Sequence, residues 1–205
     1  MQRPVCLASG CTLTMLIHYT NFDSPVGPML VAASDKGLVL LEFSPHRPGR
    51  RPNPQSNVVQ LSVHRAASGS TELGTDPPSN AVESTEALEP YLYQLRQYFA
   101  GERREFTVPL DLHGTEFQLR CWHALLKIGY GEIRTYAQLA RAVGSPNGFR
   151  AVGAANGANP VSIIVPCHRV IASDGTLGGY GGGLEVKEKL LRLEGAWPID
   201  TGQLF

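Results

Sequence analysis

The chain is short of several features at once, and each shortage excludes something. No apolar run approaches the roughly 20 residues of a membrane span, so no transmembrane helix is expected. There is no excess of charge: 18 Lys and Arg stand against 18 Asp and Glu, for a formal net charge of zero. That balance excludes a uniformly basic nucleic-acid coat, but not a local positive patch. Cysteine is sparse. Cys6, Cys11, Cys121 and Cys167 form no C-x-x-C pair, and no Cys/His set has the spacing of a structural zinc site. A chain of 205 residues can bury a sizeable core without disulfide staples. A reduced, cytoplasmic protein is therefore the expectation. The N-terminus has no apolar core followed by a cleavage site, so no signal peptide is expected. Residues 1–14 show no periodicity and read as a disordered tail.

What is present falls into two halves. Leu16–Tyr19, Met29–Ala33 and Leu38–Phe43 read as three strands of an antiparallel meander, with turns at Ser24-Pro25-Val26-Gly27 and Ser34-Asp35-Lys36-Gly37. From about residue 44 to 84 prolines, arginines, Ser and Gly dominate, and the stretch reads as an exposed insert. Leu88, Leu92, Leu95 and Phe99 have helical spacing, with Pro90 in the first turn and Gly101 as the stop. Phe106–Leu110 reads as a further short strand. Residues 15–112 thus form a small α+β domain without evident chemistry.

Residues 113–205 form the second domain. Thr115-x-x-Gln118 and Thr135-x-x-Gln138 are capping boxes, each opening a helix. In the first helix Phe117, Cys121 and Leu125 share a face, so Cys121 reads as core. A Gly144-Ser145-Pro146-Asn147-Gly148 turn leads to a third helix over Phe149–Asn156. Two short helices around a Gly-containing turn make a helix-turn-helix pattern within a mainly helical, winged-helix-like domain. Between Glu132 and Asp174 the chain carries Arg134, Arg141, Arg150 and Arg169 and no carboxylate, which reads as a local positive surface. The Ala and Gly of the third helix suit either close approach to a partner or tight helix packing.

The chemistry concentrates at Ile163-Ile164-Val165-Pro166-Cys167-His168-Arg169-Val170-Ile171. Ile163–Val165 reads as a buried strand that Pro166 ends. Cys167 then stands beside an imidazole and a guanidinium, groups that lower a thiol pKa and make it a nucleophile. Gly178-Gly179-Tyr180-Gly181-Gly182-Gly183 is a loop against whose backbone a flat ligand could lie. It lacks the Gly-Lys-Ser/Thr ending of a phosphate loop. The last helix spans about Leu184–Leu193, with Glu185 paired to Lys189. Glu194 sits at its C-terminus, where an acid opposes the helix dipole, so another partner for it is expected.

Pro166-Cys167-His168-Arg169-Val170, with Asn159-Pro160 before it and Gly178–Gly183 and Glu194 after it, resembles the O6-alkylguanine-DNA alkyltransferases. The likeness is continuous from about Phe106 to Gly195, through Gly131-Glu132, Tyr136 and Arg150-Ala151-Val152-Gly153. It is weaker over Met15–Phe43 and absent from the insert and residues 1–14. The resemblance implies DNA repair by single-turnover transfer of an alkyl group from O6-alkylguanine, and also from O4-alkylthymine, to Cys167. It implies that His168 accepts the thiol proton, that Glu194 orients the imidazole, that Asn159 ties down the turn, and that Tyr136 donates to the departing base. It places Arg150 in the stack vacated by the flipped base, with Thr135, Tyr136, Ser145 and Ser173 also against DNA. Tyr180, Gly181, Val170 and Pro160 are expected to form the substrate pocket. Some members have Ser where this chain has Gly181, which removes a side-chain donor and opens the pocket to larger alkyl groups.

The partner implied is double-stranded DNA bound through its minor groove by a monomer, with possible cooperativity left open, no membrane and no cofactor. Some members carry an N-terminal zinc site, whose spacing Cys6, Cys11 and His18 do not match, so no required metal is expected. Two other readings remain. One is a non-enzymatic module that binds alkylated DNA and recruits other repair factors; related binding modules lack the cysteine that Cys167 supplies. The other is a cysteine hydrolase, which would turn over repeatedly and need an oxyanion hole.

Overall fold

The computed structural model describes residues 16–43 and 81–198. The expected tail, Cys6, Cys11 and nearly all of the expected insert lie outside the described residues.

Strands β1 (Ile17–Ser24), β2 (Gly27–Ala33) and β3 (Leu38–Phe43) form the expected antiparallel meander. A fourth strand, β4 (Ala81–Glu83), completes the sheet in the order β3-β2-β1-β4 and runs parallel to β1. It corrects the expected insert boundary. Three residues carry no readable alternation, and the strand is defined by the edge of β1 that it pairs with.

Helix α1 (Thr85–Phe99) follows at once, with the Ser84 hydroxyl accepting from the Ala87 amide at 3.2 Å. Pro90 lies in the second turn, not the first as expected. The Glu86 carbonyl it leaves without an amide partner is on the exposed side, where water can serve it. The other face of α1 buries Leu88, Leu92, Leu95 and Tyr98 against Phe22, Met29 and Val31 of the sheet. A second, smaller cluster of Ile17, Ala32, Val39 and Leu40 covers the opposite face. Strand β3 is therefore buried throughout rather than alternating, Glu42 included.

The C-terminal half contains α2 (Glu116–Leu125), β5 (Arg134–Thr135), α3 (Tyr136–Ala142), α4 (Phe149–Gly157), a 3₁₀ turn (Cys167–Arg169), β6 (Val170–Ile171) and α5 (Leu184–Leu193). Both capping boxes form. Helices α2, α3 and α4 pack on one another as the expected helix-turn-helix, and β5 and β6 make a two-stranded parallel ribbon beside them. The fold is α+β. One hydrophobic core runs through both halves, joining Val31, Leu38 and Leu41 of the sheet to Cys121, Trp122, Val161 and Val165.

The open edge of β3 is where the sheet meets the chemistry. Leu38 donates to the Pro109 carbonyl at 2.9 Å, and Leu41 donates to the Pro160 carbonyl at 2.9 Å while accepting from the Ser162 amide at 2.8 Å. These bonds cap an exposed edge and anchor the segment that leads to Cys167. They also correct two expectations. Phe106–Leu110 makes only a bridge at Leu110, not a strand. Ile163–Val165 is a buried turn, closed by the Val165 amide on the Val161 carbonyl at 3.0 Å, with Ile163 at φ 72°. Residues 158–171 are all buried, so the β-branched run reflects burial rather than strand.

The α2 capping box gives a direct test of local stability. Thr115 Oγ1 accepts from the Gln118 amide at 3.3 Å, and Gln118 Oε1 accepts from the Thr115 amide at 2.8 Å. Thr115→Ala should lower unfolding free energy by about 1 kcal/mol, and Thr115→Ser should leave it nearly unchanged; urea titration of the three proteins measures both.

Candidate active site

Asn159, two residues past the end of α4, is the brace of the site. It is 6% exposed. Its Oδ1 accepts from the Val161 amide at 3.0 Å. Its Nδ2 donates to the Val165 carbonyl at 2.8 Å and to Cys167 Sγ at 3.2 Å. One amide thus spans both ends of the turn and gives the sulfur a hydrogen-bond donor. Cys167 opens the 3₁₀ turn and is in no disulfide. Cys121 is fully buried in α2, and burial pushes its thiol up, away from reactivity.

Behind the cysteine lies a buried charge cluster. His168 Nε2 is 3.0 Å from Glu194 Oε1. Arg169 donates from Nε to Oε2 and from Nη2 to Oε1 of the same carboxylate, both at 2.8 Å. Tyr98 of α1 donates to Oε1 at 2.7 Å and the Gly131 amide to Oε2 at 3.3 Å. This is the partner set that the acid at the end of α5 called for. Burial alone would raise the Glu194 carboxyl, but the hydrogen bonds from His168 and Arg169 and the Arg169 charge override it and hold it well below the usual carboxylate range. Burial lowers His168 from its ordinary value, against the pull of Glu194. The charge count agrees: Arg169 already neutralises Glu194, so a proton on His168 would leave a buried net charge. A carboxylate accepts only, so Nε2 carries the imidazole proton. Nδ1 is then the lone-pair nitrogen, buried and without a partner among the described residues.

Cys167 lines a cavity of about 150 Å³. One wall is helical, with Tyr136 from α3 and Gly153, Asn156 and Gly157 from α4. The other is Gly179, Tyr180 and Gly181 of the glycine loop. Tyr180 is set edge-on to Phe43, with ring centroids 5.9 Å apart, and to His168 at 6.4 Å. A Cβ on Gly182 would lie 2.8 Å from the Phe43 ring, and one on Gly178 would lie 3.1 Å from the Tyr136 ring. At Gly178 and Gly182 the loop is pressed against aromatic rings, which leaves no room for a side chain there. Tyr136 donates to the Gly179 carbonyl at 3.4 Å, and burial, then the nearby Cys167, push its phenol up, so it stays protonated. A larger cavity of about 530 Å³ lies between Arg104–Glu105 and Lys127–Tyr130 but does not reach Cys167.

Several expected positions need correction. Pro160 and Val170 do not line the cavity. Pro160 is held against β3 by its carbonyl, and Val170 is wholly buried in β6. Arg169 is 6% exposed and belongs to the Glu194 cluster, not to a positive surface. Thr135 is buried and its hydroxyl caps α3 by accepting from the Gln138 amide at 3.1 Å. Ser145 is half-buried in the turn between α3 and α4, and Ser173 is exposed after β6. Arg150 is exposed in the first turn of α4, its guanidinium 5.9 Å over the Phe149 ring.

Sequence reasoning did not place Gly153, Asn156 or Gly157 in the pocket, and their i, i+3, i+4 spacing was the available signal. It also passed over Lys187. That lysine is fully buried, and its ammonium donates to the carbonyls of Val170, Leu177 and Gly179, tying the glycine loop to β6. Burial pushes it down to about 8. Its register with Leu190 and Leu191 was the missed signal. The expected Glu185–Lys189 pair forms on the outer face at 2.8 Å. Among the described residues no group of His, Cys, Asp and Glu could hold a metal ion, and no helix is long and apolar enough to cross a membrane.

Residues 17–112 match the family model of the 6-O-methylguanine DNA methyltransferase ribonuclease-like domain, and residues 116–196 match that of its DNA binding domain. The methylated-DNA–protein-cysteine methyltransferase of Methanosarcina acetivorans is 41% identical over 180 residues, covering 88% of this chain and 99% of its own. The crystal structure of Mycobacterium tuberculosis O6-methylguanine methyltransferase superposes with a TM-score of 0.70 at 39% identity, covering 93% of this chain and all of its own. The structure of Mycobacterium tuberculosis OGT in complex with DNA matches with a TM-score of 0.69, also at 39% identity, over 92% of this chain and 99% of its own.

The cluster fixes how stability responds to acid. Glu194 has a depressed folded pKa, so its contribution is present above the unfolded carboxyl value near 4.5 and is lost as pH falls below it. His168 is also depressed, so below about 6.5 the unfolded chain takes up a proton that the folded imidazole resists. Both effects have one sign: stability should fall from pH 6.5 downward and fall faster below 4.5. Glu194→Gln should cost about 3 kcal/mol or more at pH 7 by leaving Arg169 unpaired, and should flatten the limb below pH 4.5. Urea unfolding at a series of pH values reads both; a Gln variant with the wild-type acid slope would remove Glu194 as its cause.

Proposed function

The chain belongs to the 6-O-methylguanine DNA methyltransferase family, and from that premise we propose that Cys167 is the residue to which it transfers the alkyl group. The protein is a DNA-repair enzyme that moves an alkyl group from DNA to one of its own cysteines. The observation that carries the assignment is the placement of Cys167 Sγ at the cavity, 3.2 Å from the Asn159 amide, with the His168–Glu194–Arg169 cluster behind it.

The thiol proton passes to His168 Nδ1 by way of a bridging water, because Nε2 is committed to Glu194. Glu194, itself held by Arg169, keeps that tautomer and steadies the imidazolium. The thiolate attacks the carbon bonded to O6. A carbon–sulfur bond forms, the carbon–O6 bond breaks, and its electron pair passes to the guanine ring. The Tyr136 hydroxyl gives the departing base its proton or a hydrogen bond. The thioether has no leaving group that water can displace at neutral pH, so each molecule acts once.

A cavity of about 150 Å³ behind two walls cannot reach a base inside a duplex, so the base is flipped into it. Helix α4 enters the minor groove with Arg150 in the gap, and the monomer binds with little sequence preference. Arg134 and Arg141 are exposed on the same segment and add to its positive surface, though Arg134 also pairs with Glu132 at 2.9 Å.

Intact mass spectrometry after mixing with O6-methylguanine duplex tests the acceptor. One stable added methyl, located at Cys167 by peptide mapping, is the expected result. Cys167→Ala should accept none while still binding DNA, and Cys121→Ala should keep most activity. A methyl on another residue would overturn the assignment.

Arg150→Ala separates flipping from chemistry. Flipping costs a few kcal/mol in a duplex and nothing for a free base. The variant should react with duplex O6-methylguanine at least about tenfold more slowly, since each 1.4 kcal/mol is a factor of ten. It should react with free O6-benzylguanine at the wild-type rate. Equal losses on both would place Arg150 in the pocket or the fold.

A further inference from the structure

Tyr98 reaches the Glu194 cluster from the sheet half of the molecule. It is wholly buried in α1, and its ring packs among Phe99, Phe106 and Tyr130, with centroids 5.3, 5.4 and 6.2 Å away. Two of those neighbours are phenylalanines, and Tyr98→Phe would fill the same space. The hydroxyl is the part that packing does not explain. Burial, then the nearby Glu194, push the phenol well above its ordinary value, so it stays a donor. It donates to Glu194 Oε1 at 2.7 Å.

Glu194 does not need that bond for charge balance. Arg169 already meets both oxygens at 2.8 Å, and the Gly131 amide serves Oε2 at 3.3 Å. The Tyr98 hydroxyl is aimed instead at Oε1, the oxygen that His168 Nε2 holds at 3.0 Å. His168 Nδ1 has no partner among the described residues, so the bond to Oε1 is the one that orients the ring. Each donor to a carboxylate stabilises its charge and leaves less of it for the next. Taking one donor away therefore strengthens the pull of Oε1 on a proton at His168. The transfer needs His168 neutral beforehand, since a ring already protonated cannot take the thiol proton.

We infer that Tyr98 is a positioning residue for the alkyl transfer: its hydroxyl fixes Glu194 Oε1 and takes up part of that oxygen's charge, so the His168 ring is held without being protonated in advance. The inference rests on the reading of Cys167 as the alkyl acceptor. It makes the sheet half, none of whose described residues lines the cavity beside Cys167, a part of the proton relay. The other charged or titratable groups around His168 are Arg169 and Cys167 of the same turn, Lys187 of α5 and Tyr180 of the glycine loop. Around Tyr98 they are Arg169, Tyr130 and Tyr180. All of these are common to the wild type and a variant that lacks only the hydroxyl.

The test follows the titration of the His168 ring by NMR of its nitrogens, in protein labelled at histidine. Beside it, the pH dependence of benzyl transfer is measured with free O6-benzylguanine, which needs no flipping. Tyr98→Phe should move the His168 midpoint up by about one pH unit, and the acid limb of the transfer rate should move up with it. Placing 3-fluorotyrosine at position 98 gives a stronger donor of nearly the same size and should move both the other way. That second protein keeps the test decisive even where Tyr98→Phe weakens the fold. A His168 midpoint unchanged in both proteins would overturn the inference and leave the hydroxyl to the fold alone, whatever the melting temperatures. A midpoint that falls in Tyr98→Phe would also overturn it, by showing that the hydroxyl supports the charged ring. Either result leaves the alkyl-acceptor reading intact, because the ring titrates without any transfer. Absence of any benzyl adduct on the wild type would sink that reading, and the part given to Tyr98 with it.

Discussion

The Glu194 carboxylate is the interaction on which the other parts of the molecule converge. It is buried and ionised, and its donors come from distant places: Tyr98 of α1, the Gly131 amide after α2, and His168 and Arg169 of the 3₁₀ turn. A buried carboxylate is tolerated only when its oxygens are fully served. The donors must therefore all be in place together. That requirement locks α1 of the sheet half onto the end of α5 and fixes the imidazole beside Cys167. The same bonds that secure the fold set the tautomer that the reaction uses, so stability and reactivity cannot be adjusted separately here.

Around that cluster the nucleophile is held by backbone rather than by a regular element. Residues 160–162 hang on the edge of β3, Asn159 ties the two ends of the turn, and Lys187 ties β6 to the glycine loop. Ile163, a β-branched residue at φ 72°, is the strained point of this path. Such a conformation costs on the order of 1–3 kcal/mol and persists only where the surroundings over-determine it. Here they do: the whole of residues 158–171 is buried, with hydrogen bonds on both flanks. The strain is the consequence of delivering a cysteine to a cavity wall through a turn too tight for a strand.

Local signals were legible and non-local ones were not. The Thr115 and Thr135 boxes announce α2 and α3 because a cap is a contact over three residues. Glu194 was legible as an oddity, an acid at the wrong end of a helix, although its partners lie 25 and 26 positions away or, for Tyr98, 96. Strand β4 was hidden because it exists only through β1. The Ile163–Val165 run misled because β-branching reports burial as readily as strand. Arg169 and Lys187 were read as surface or not at all, since a cation in sequence gives no hint of a buried carboxylate or of three converging carbonyls. Asn156 was lost among Ala and Gly read as a groove-facing stripe.

Lys187 shows a second way to hold a polar group in an apolar interior. It is depressed to about 8 by burial, yet its ammonium meets three carbonyls, so it fastens one wall of the cavity to the segment after Cys167. The Glu194 carboxylate is held by donors from distant elements and a paired guanidinium, whereas Lys187 is held by backbone carbonyls alone. The first arrangement joins the two halves of the molecule, and the second joins the glycine loop to the ribbon that follows the cysteine, so the two walls of the cavity are fixed by different buried charges.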